Sequence, residues 1–466
     1  MPEPRRRRSD RRLRLARKPL GAEPVRVPAS GTAGGFHECI AVSKTSNPAG
    51  AYWSYDYLIS TTLFNDYPKI GVWPDGYYLS FNDFTDSGFE GVTVAALPRV
   101  PLLSGLKQNG VEFTPSRYAA GPTSYSMLPA DFDGRLQPPA GSPEIFAEYQ
   151  TPPTSASERV TLFALHANYT TPSASTFAPI AGLATAPFTD QFCPQDCIRQ
   201  KGMGVGLDDE SDRLMQRLAY RKYGGGVEAL VLNHTVRGPK NDADGKPTAA
   251  VRWYELRKHS GIWSIYQQST FQPDASASYP LSRWMGSAAM DGTHDLAVGS
   301  SASSHLAYPS IRYAGRTPAD ALGKLEGETT MWAGTGAQTE ADRWGDYTAM
   351  SIDPADDCTF WYLGEYYTAT QGGDWHTRIG SFRFPNCVGI SSVSPGSGAR
   401  GSTITINGVG FTSTAVVKFN GVSASKTFVS SHQLKAVVPS TASTGRVTVT
   451  QGANTVYSPA SFLVTG

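Results

Sequence analysis

From Val388 to Gly466, apolar and polar residues alternate at period two, a rhythm suited to strands with one buried face. It runs through Thr403-Ile-Thr-Ile, Val416-Val-Lys-Phe, Leu434-Lys-Ala-Val-Val and Arg446-Val-Thr-Val-Thr. Gly, Asn, Ser or Pro interrupts it roughly every 8 to 12 residues, the turn spacing of a small antiparallel sandwich. The segment holds no Cys, no Asp or Glu and no nucleophile motif, so it carries no visible chemistry.

Two stretches give this segment its identity: Ile390-Ser-Ser-Val-Ser-Pro-Gly-Ser-Gly and Gly401-Ser-Thr-Ile-Thr-Ile-Asn-Gly-Val-Gly-Phe. They resemble the IPT/TIG family of immunoglobulin-like domains, and the resemblance covers essentially all of 388–466. It implies a spacer or binding module appended to something larger.

With 466 residues, two or three domains are expected. The 47 Gly, 33 Pro and 51 aromatic residues, with only 17% charged, point to many short strands joined by turns. No apolar run is long enough for a membrane span. Residues 1–19 carry eight Arg and one Lys against Glu3 and Asp10. That arm is compatible with an anionic partner, but no folded nucleic-acid motif accompanies it. Residues 1–35 are therefore read as a disordered Arg-rich segment. Leu13, Leu15, Ala16 and Leu20 are too scattered to form the apolar stretch of an export signal. A surface-type domain without a visible signal leads to the expectation of a mis-set start or a truncated front end.

Five cysteines stand at 39, 193, 197, 358 and 387. Cys193 with Cys197, and Cys358 with Cys387, read as two disulfides, consistent with export. Zinc is the alternative, but C-x3-C lacks a second spaced pair. Cys39 is left over.

A loose repeat occupies residues 36–387, each copy an aromatic or small pair, an Asp-containing turn and an apolar strand. Copies begin at Tyr67-Pro-Lys-Ile-Gly-Val-Trp, Arg217-Leu-Ala-Tyr, Arg283-Trp-Met-Gly-Ser and Arg343-Trp-Gly-Asp-Tyr. Four strands in roughly 60 residues is the measure of one propeller blade. Glu38-Cys-Ile-Ala-Val-Ser, Asp66-Tyr-Pro-Lys, Asp212-Arg-Leu-Met, Tyr308-Pro-Ser-Ile-Arg-Tyr and Arg378-Ile-Gly-Ser-Phe resemble bacterial secreted β-propeller proteins of a loosely sialidase-like kind. The resemblance implies further strands upstream of Glu38 and a cysteine near Val94–Ala96, where this chain has none. The expected fold is thus all-β: a propeller of about 5–7 blades, N-terminally incomplete, over 36–387, then an immunoglobulin-like sandwich over 388–466.

For chemistry, the sialidase-like resemblance implies arginines gathered around a carboxylate, with a Tyr and a Glu as nucleophile and base. The candidates are Arg283, Arg312, Arg343, Asp346, Glu365 and Tyr366. Against them, Ser-x-Asp-x-Gly-x-Thr-Trp boxes are absent, and Arg-aromatic pairs recur with the repeat as structural residues would. No cofactor is implied. Calcium is the one possibility kept open: Asp353-Pro-Ala-Asp-Asp357 and Asn241-Asp-Ala-Asp-Gly245 cluster oxygens as calcium loops do, though the second lacks the closing Glu and Asp-rich surface turns are common. His234, His259, His294, His305 and His376 share no metal spacing, and a Gly-x-Ser-x-Gly elbow is missing. Aromatics crowding 52–78 and 361–375 are read mainly as core, with a few at a channel mouth.

The preferred reading is a secreted or cell-surface binding protein, a monomer with a polysaccharide or protein ligand, no nucleic acid and no membrane span. Glycoside hydrolysis is the alternative, and a ligand-free adhesive spacer the third.

Overall fold

The computed structural model describes residues 11–12, 20–26, 34–114, 125–150, 158–193, 197–204 and 206–466. Among them the chain is almost wholly strand, with one short α-helix at Arg99–Leu103. No helix is long and apolar enough to cross a membrane.

Six antiparallel meanders follow one another. The second spans Phe64–Val72, Gly76–Thr85, Gly88–Pro98 and Val111–Phe113. The third spans Leu128–Asp133, Glu144–Gln150, Arg159–His166 and Thr176–Ala184, and the fourth Leu214–Lys222, Glu228–Arg237, Ala249–His259 and Ile262–Phe271. The fifth runs from Ser282–Met290 to Thr329–Trp332, and the sixth has three strands, Ala349–Ile352, Phe360–Tyr366 and His376–Phe382. The first is built from Arg11–Arg12, Leu20–Arg26, Phe36–Ser43 and Tyr52–Ser60.

In the 1–35 segment, read from sequence as disordered, the structure thus describes two short strands. Leu20–Arg26 covers the edge of Phe36–Ser43, pairing Leu20 with Val42 and Ala22 with Ile40. A strand of this kind, flanked on its other side by Tyr52–Ser60, would otherwise leave a row of open backbone groups. The remaining residues before Gly34 lie outside the described residues.

These meanders are propeller units, packed face to face with the first strands of the second to sixth units turned inward. The first strands of the third and fourth units pair in parallel, Leu218 opposite Ala130. Three of the four repeat copies found in the sequence begin on inner strands, and the Arg343 copy begins in the loop that leads into one. The three share an irregularity: the register slips between Asp66 and Lys69, Met215 and Ala219, and Trp284 and Ser287. Tyr67 and Met285 sit there at φ of 56° and 50°. A recurrent bulge of this kind bends the strand and re-aims its side chains toward the axis.

Apolar clusters fill the wedges between units. Ile40, Val42, Tyr55 and Tyr57 of the first pack on Ile70, Tyr77 and Leu79 of the second. Ala219, Val231 and Trp253 of the fourth pack on Ala288, Met290 and Val298 of the fifth. Close approach needs small residues opposite large ones. Gly299 is the clearest case, since a Cβ there would stand 2.5 Å from the Tyr362 ring.

The axis is filled by charge instead. Arg217 reaches from the fourth unit to the Met350 carbonyl of the sixth (2.8 Å), to Asp131 of the third (2.9 Å) and to Asp133. Further along, Arg221 pairs with Asp357 at 2.8 Å, and Arg135 donates to the Ala355 carbonyl at 3.0 Å.

The C-terminal sandwich has one sheet ordered Gly389–Ser394, Thr403–Val409, Gln433–Val437, Lys426–Ser430. A second, of five strands, packs on it around Ile390, Ile404, Ile406, Val417, Val447 and Phe462. The alternation seen in the sequence is the alternation of this core. Both expected disulfides form, Cys193–Cys197 and Cys358–Cys387. The second ties the last propeller unit to the residue before the sandwich and packs on Val409. Gly389 follows it because a Cβ there would stand 1.8 Å from the Asp356 carbonyl.

Candidate functional site

The loops that lead into the inner strands gather at one end of the axis. Asp208–Arg213 leads into the fourth unit, Arg343–Tyr347 into the sixth, Asp66–Lys69 lies in the second, and Tyr125 precedes the third.

Glu210 is their hub. It is 1% exposed, and its two carboxylate oxygens stand 2.6 Å from Arg213 and 2.6 Å from Arg343. Arg343 also pairs with Asp346, and Arg213 with its neighbour Asp212. Burial pushes the Glu210 carboxyl up to about 8, helped by Asp346 and opposed by the two guanidiniums. The same partners hold Arg213 and Arg343 charged, well above their ordinary range, although burial opposes them.

Tyr67 lies behind this hub. Its hydroxyl donates to the Asp346 carbonyl at 3.2 Å, and its ring lies between Lys69 Nζ, 3.2 Å from the centroid, and Arg213, 5.1 Å away. Lys69 also lies over Tyr347, and Arg213 over Tyr125. Burial, then Glu210, raises the Tyr67 hydroxyl well above its usual pKa, so it stays protonated. Tyr67 and Glu210 both adopt positive φ, 56° and 43°. Backbone strain of roughly 1–3 kcal/mol per residue persists only where surrounding contacts hold it, and it concentrates at functional positions. At the open side, Arg343 is 46% exposed and Asp208 33%. The mouth can therefore offer guanidinium donors, carboxylate acceptors and aromatic faces to a ligand.

The six candidate residues from the sequence divide between places. Arg343 and Asp346 belong to the mouth, and Glu365 supports it by accepting the Gly345 amide at 3.1 Å. Arg283 and Arg312 meet elsewhere, on Glu328. Arg283 grips that carboxylate with two hydrogen bonds (2.7 and 3.0 Å) and adds Asp274, while Arg312 reaches it at 2.7 Å. Tyr366 lies between the last two units, edge-on to Trp332 and beside His376. Sequence reasoning missed Tyr67, Glu210, Arg213 and Tyr125 as site residues. A signal for Tyr67 and Arg213 was present in Asp66-Tyr-Pro-Lys and Asp212-Arg-Leu-Met, which border two of the inner-strand bulges, whereas Glu210 and Tyr125 lie outside both motifs.

In the loops considered for calcium, the carboxylates already serve the chain. Asp356 accepts the Cys358 and Thr359 amides, Asp353 accepts the Ala355 amide and Trp361 Nε1, and Asp357 holds Arg221. Asp242 and Asp244 both pair with Arg199 at 2.6 Å.

Fold and site together define a two-module all-β protein, a propeller with a charged axial mouth followed by an immunoglobulin-like sandwich. Residues 389–464 match the IPT/TIG domain family, so the sandwich is a TIG domain. No curated protein is similar to the chain in sequence. Among solved structures, it is similar to a protein of unknown function from Dyadobacter fermentans (TM-score 0.36, 9% identity, covering 81% of this chain and 94% of that one). An N-acetylgalactosamine deacetylase from F. plautii, in complex with blood group B trisaccharide, gives TM-score 0.30 at 10% identity, covering 70% and 91%. A Hadza microbial sialidase gives 0.25 at 9%, covering 79% and 63%. Scores of this size leave the function to be argued from the chain itself.

Proposed function

We propose that this is an extracellular glycan-binding protein whose ligand enters the axial mouth, with the TIG domain as a spacer or interaction module. One observation carries the reading. Side chains from separate propeller units converge on Glu210, with Arg343 half-exposed above it and Tyr125 and Tyr347 beside it under Arg213 and Lys69. Aromatic faces stack on sugar rings while fixed polar groups orient hydroxyls, the usual division of labour in a ligand site. Two disulfides and the absence of a long apolar helix are compatible with a place outside the cell.

A glycan array probed with the full chain tests this reading. Binding should be lost in Arg343→Ala and weakened in Tyr125→Ala, both with unchanged melting profiles. An array without signal, or binding untouched by both variants, would refute it.

Hydrolysis is the second reading, favoured by Tyr67 and Glu210 flanking Arg213, with Glu210 holding its proton near neutrality. Release of free sugar from an array-positive glycan, abolished in Glu210→Gln, would establish it.

A further inference from the structure

The disulfide at the junction has a third companion. Asp291, at the end of the inner strand Ser282–Met290, brings a carboxylate oxygen within 4.8 Å of the sulfurs of Cys358 and Cys387. Asp291 belongs to the fifth unit, Cys358 to the sixth and Cys387 to the segment that enters the TIG domain, so three parts of the chain meet here. All three side chains are buried, Asp291 and Cys358 at 0% exposure and Cys387 at 1%. Backbone contacts hold the placement: the Gly292 amide donates to the Asp357 carbonyl at 2.8 Å, and the Asp291 amide to the Asp295 carbonyl at 2.9 Å.

A closed disulfide carries no hydrogen to donate, so it makes no use of that carboxylate. Asp291 Oδ1 serves its own turn, accepting the Thr293 and Asp295 amides at 2.8 and 3.0 Å and the Thr293 hydroxyl at 3.0 Å. Oδ2 supplies the second observation: it is buried, with no hydrogen-bond partner among the described residues. A buried acceptor left in this state is costly unless something binds it. Burial and the neighbouring Asp295 push the Asp291 carboxyl well above its ordinary range, so beside the closed disulfide it keeps a proton.

Before the S–S bond forms, the two cysteines are thiols, and the same three side chains become a donor set. Two thiolates and a carboxylate suit a thiophilic divalent ion, whose charge the thiolates cancel. Zinc bond lengths of about 2.3 Å to sulfur and 2.1 Å to oxygen put tetrahedral ligand atoms roughly 3.6–3.8 Å apart. The observed cluster already lies within that reach, and only the two sulfurs need to separate. The nearby Arg221 is neutralised by Asp357 at 2.8 Å.

We propose that the chain, before its junction disulfide closes, holds one zinc-class cation on Asp291, Cys358 and Cys387, which fixes the TIG domain to the propeller until oxidation replaces it. A disulfide such as oxidised glutathione completes the exchange. The two protein thiolates give up two electrons and form their S–S bond, the oxidant's S–S bond breaks to two thiolates, and the cation leaves hydrated. This inference is independent of glycan binding.

Cobalt(II) is the probe, because its thiolate complexes give a charge-transfer absorption that the protein lacks. The full chain carries Cys39→Ser, Cys193→Ser and Cys197→Ser, is reduced with a water-soluble phosphine in mild denaturant, and is refolded without oxygen. One equivalent of cobalt should bind with that absorption, zinc should displace it, and oxidised glutathione should release it. Asp291→Asn keeps an acceptor for the turn and should weaken cobalt binding about tenfold or more. Binding below one equivalent, or equal binding by parent and Asp291→Asn, would overturn the proposal. Should Asp291→Asn fold poorly, alkylation of the parent decides. Zinc should protect Cys358 and Cys387 from iodoacetamide, and equal labelling with and without zinc would overturn the site.

Discussion

Glu210 of the loop leading into the fourth propeller unit stands 2.6 Å from Arg343 of the loop leading into the sixth. One carboxylate therefore fixes two loops that are distant in sequence. Arg343 is 46% exposed, so its loss should cost little global stability. The expected effect of Arg343→Ala is local: faster amide exchange across 208–213 with a melting temperature close to that of the parent. Hydrogen exchange read by mass spectrometry checks this, and an unchanged rate in that loop would contradict it.

Deeper on the axis the same chemistry is structural. Arg217 and Asp131 pair at 2.9 Å with both side chains nearly fully buried. Arg217→Ala would remove its ion pairs with Asp131 and Asp133 and also the bond to the Met350 carbonyl. The expected loss is about 3–5 kcal/mol in urea unfolding, the usual consequence of breaking rather than replacing a buried pair. A loss below about 1 kcal/mol would show that the axis is wet and well screened.

Glu38 gives a pH-dependent prediction. It lies between the first two units, 1% exposed, and burial raises its pKa to about 8. The folded chain thus keeps a proton that the unfolded chain has lost above the ordinary carboxylate range. That contribution to stability is present below the unfolded pKa and disappears as pH rises through about 8. Glu38→Gln should remove this part of the slope and be the more stable form at alkaline pH, on the order of 3 kcal/mol. Chemical unfolding of both proteins from mildly acidic to alkaline pH measures the difference; parallel curves would contradict it.

Much of the fold was legible because two-period alternation and turn residues report strand faces directly. Ile404, Ile406, Val447 and Val449 are core residues of the TIG domain, as their spacing implies. The repeat also marked the inner strands of the second, fourth and fifth units, where a bulge interrupts the pairing at the same place. The mouth was half legible. Arg343 and Asp346 stood out, but their partner Glu210 comes from a loop more than a hundred residues earlier, and no local pattern encodes that meeting. Arg283 stands apart from the mouth on Glu328, and an arginine tied to a buried carboxylate looks in sequence like one awaiting a ligand.

The junction between modules depends on Cys358–Cys387, which closes a 29-residue separation beside Val409. Replacing both cysteines with Ala should lower stability by about 2–4 kcal/mol. Limited proteolysis should then cut between propeller and sandwich, near Phe384–Val388, sooner than in the parent. Identical digestion of the two forms would show that apolar contacts alone hold the junction.

The central claim is that ligand binds at the axial mouth and not on the TIG domain. Hydrogen exchange of the full chain with and without a bound glycan tests it most directly. Protection is predicted in 208–213 and 343–347, with exchange in the TIG edge strand Lys426–Ser430 unchanged. Protection confined to that strand, with the mouth loops exchanging as before, would contradict the account.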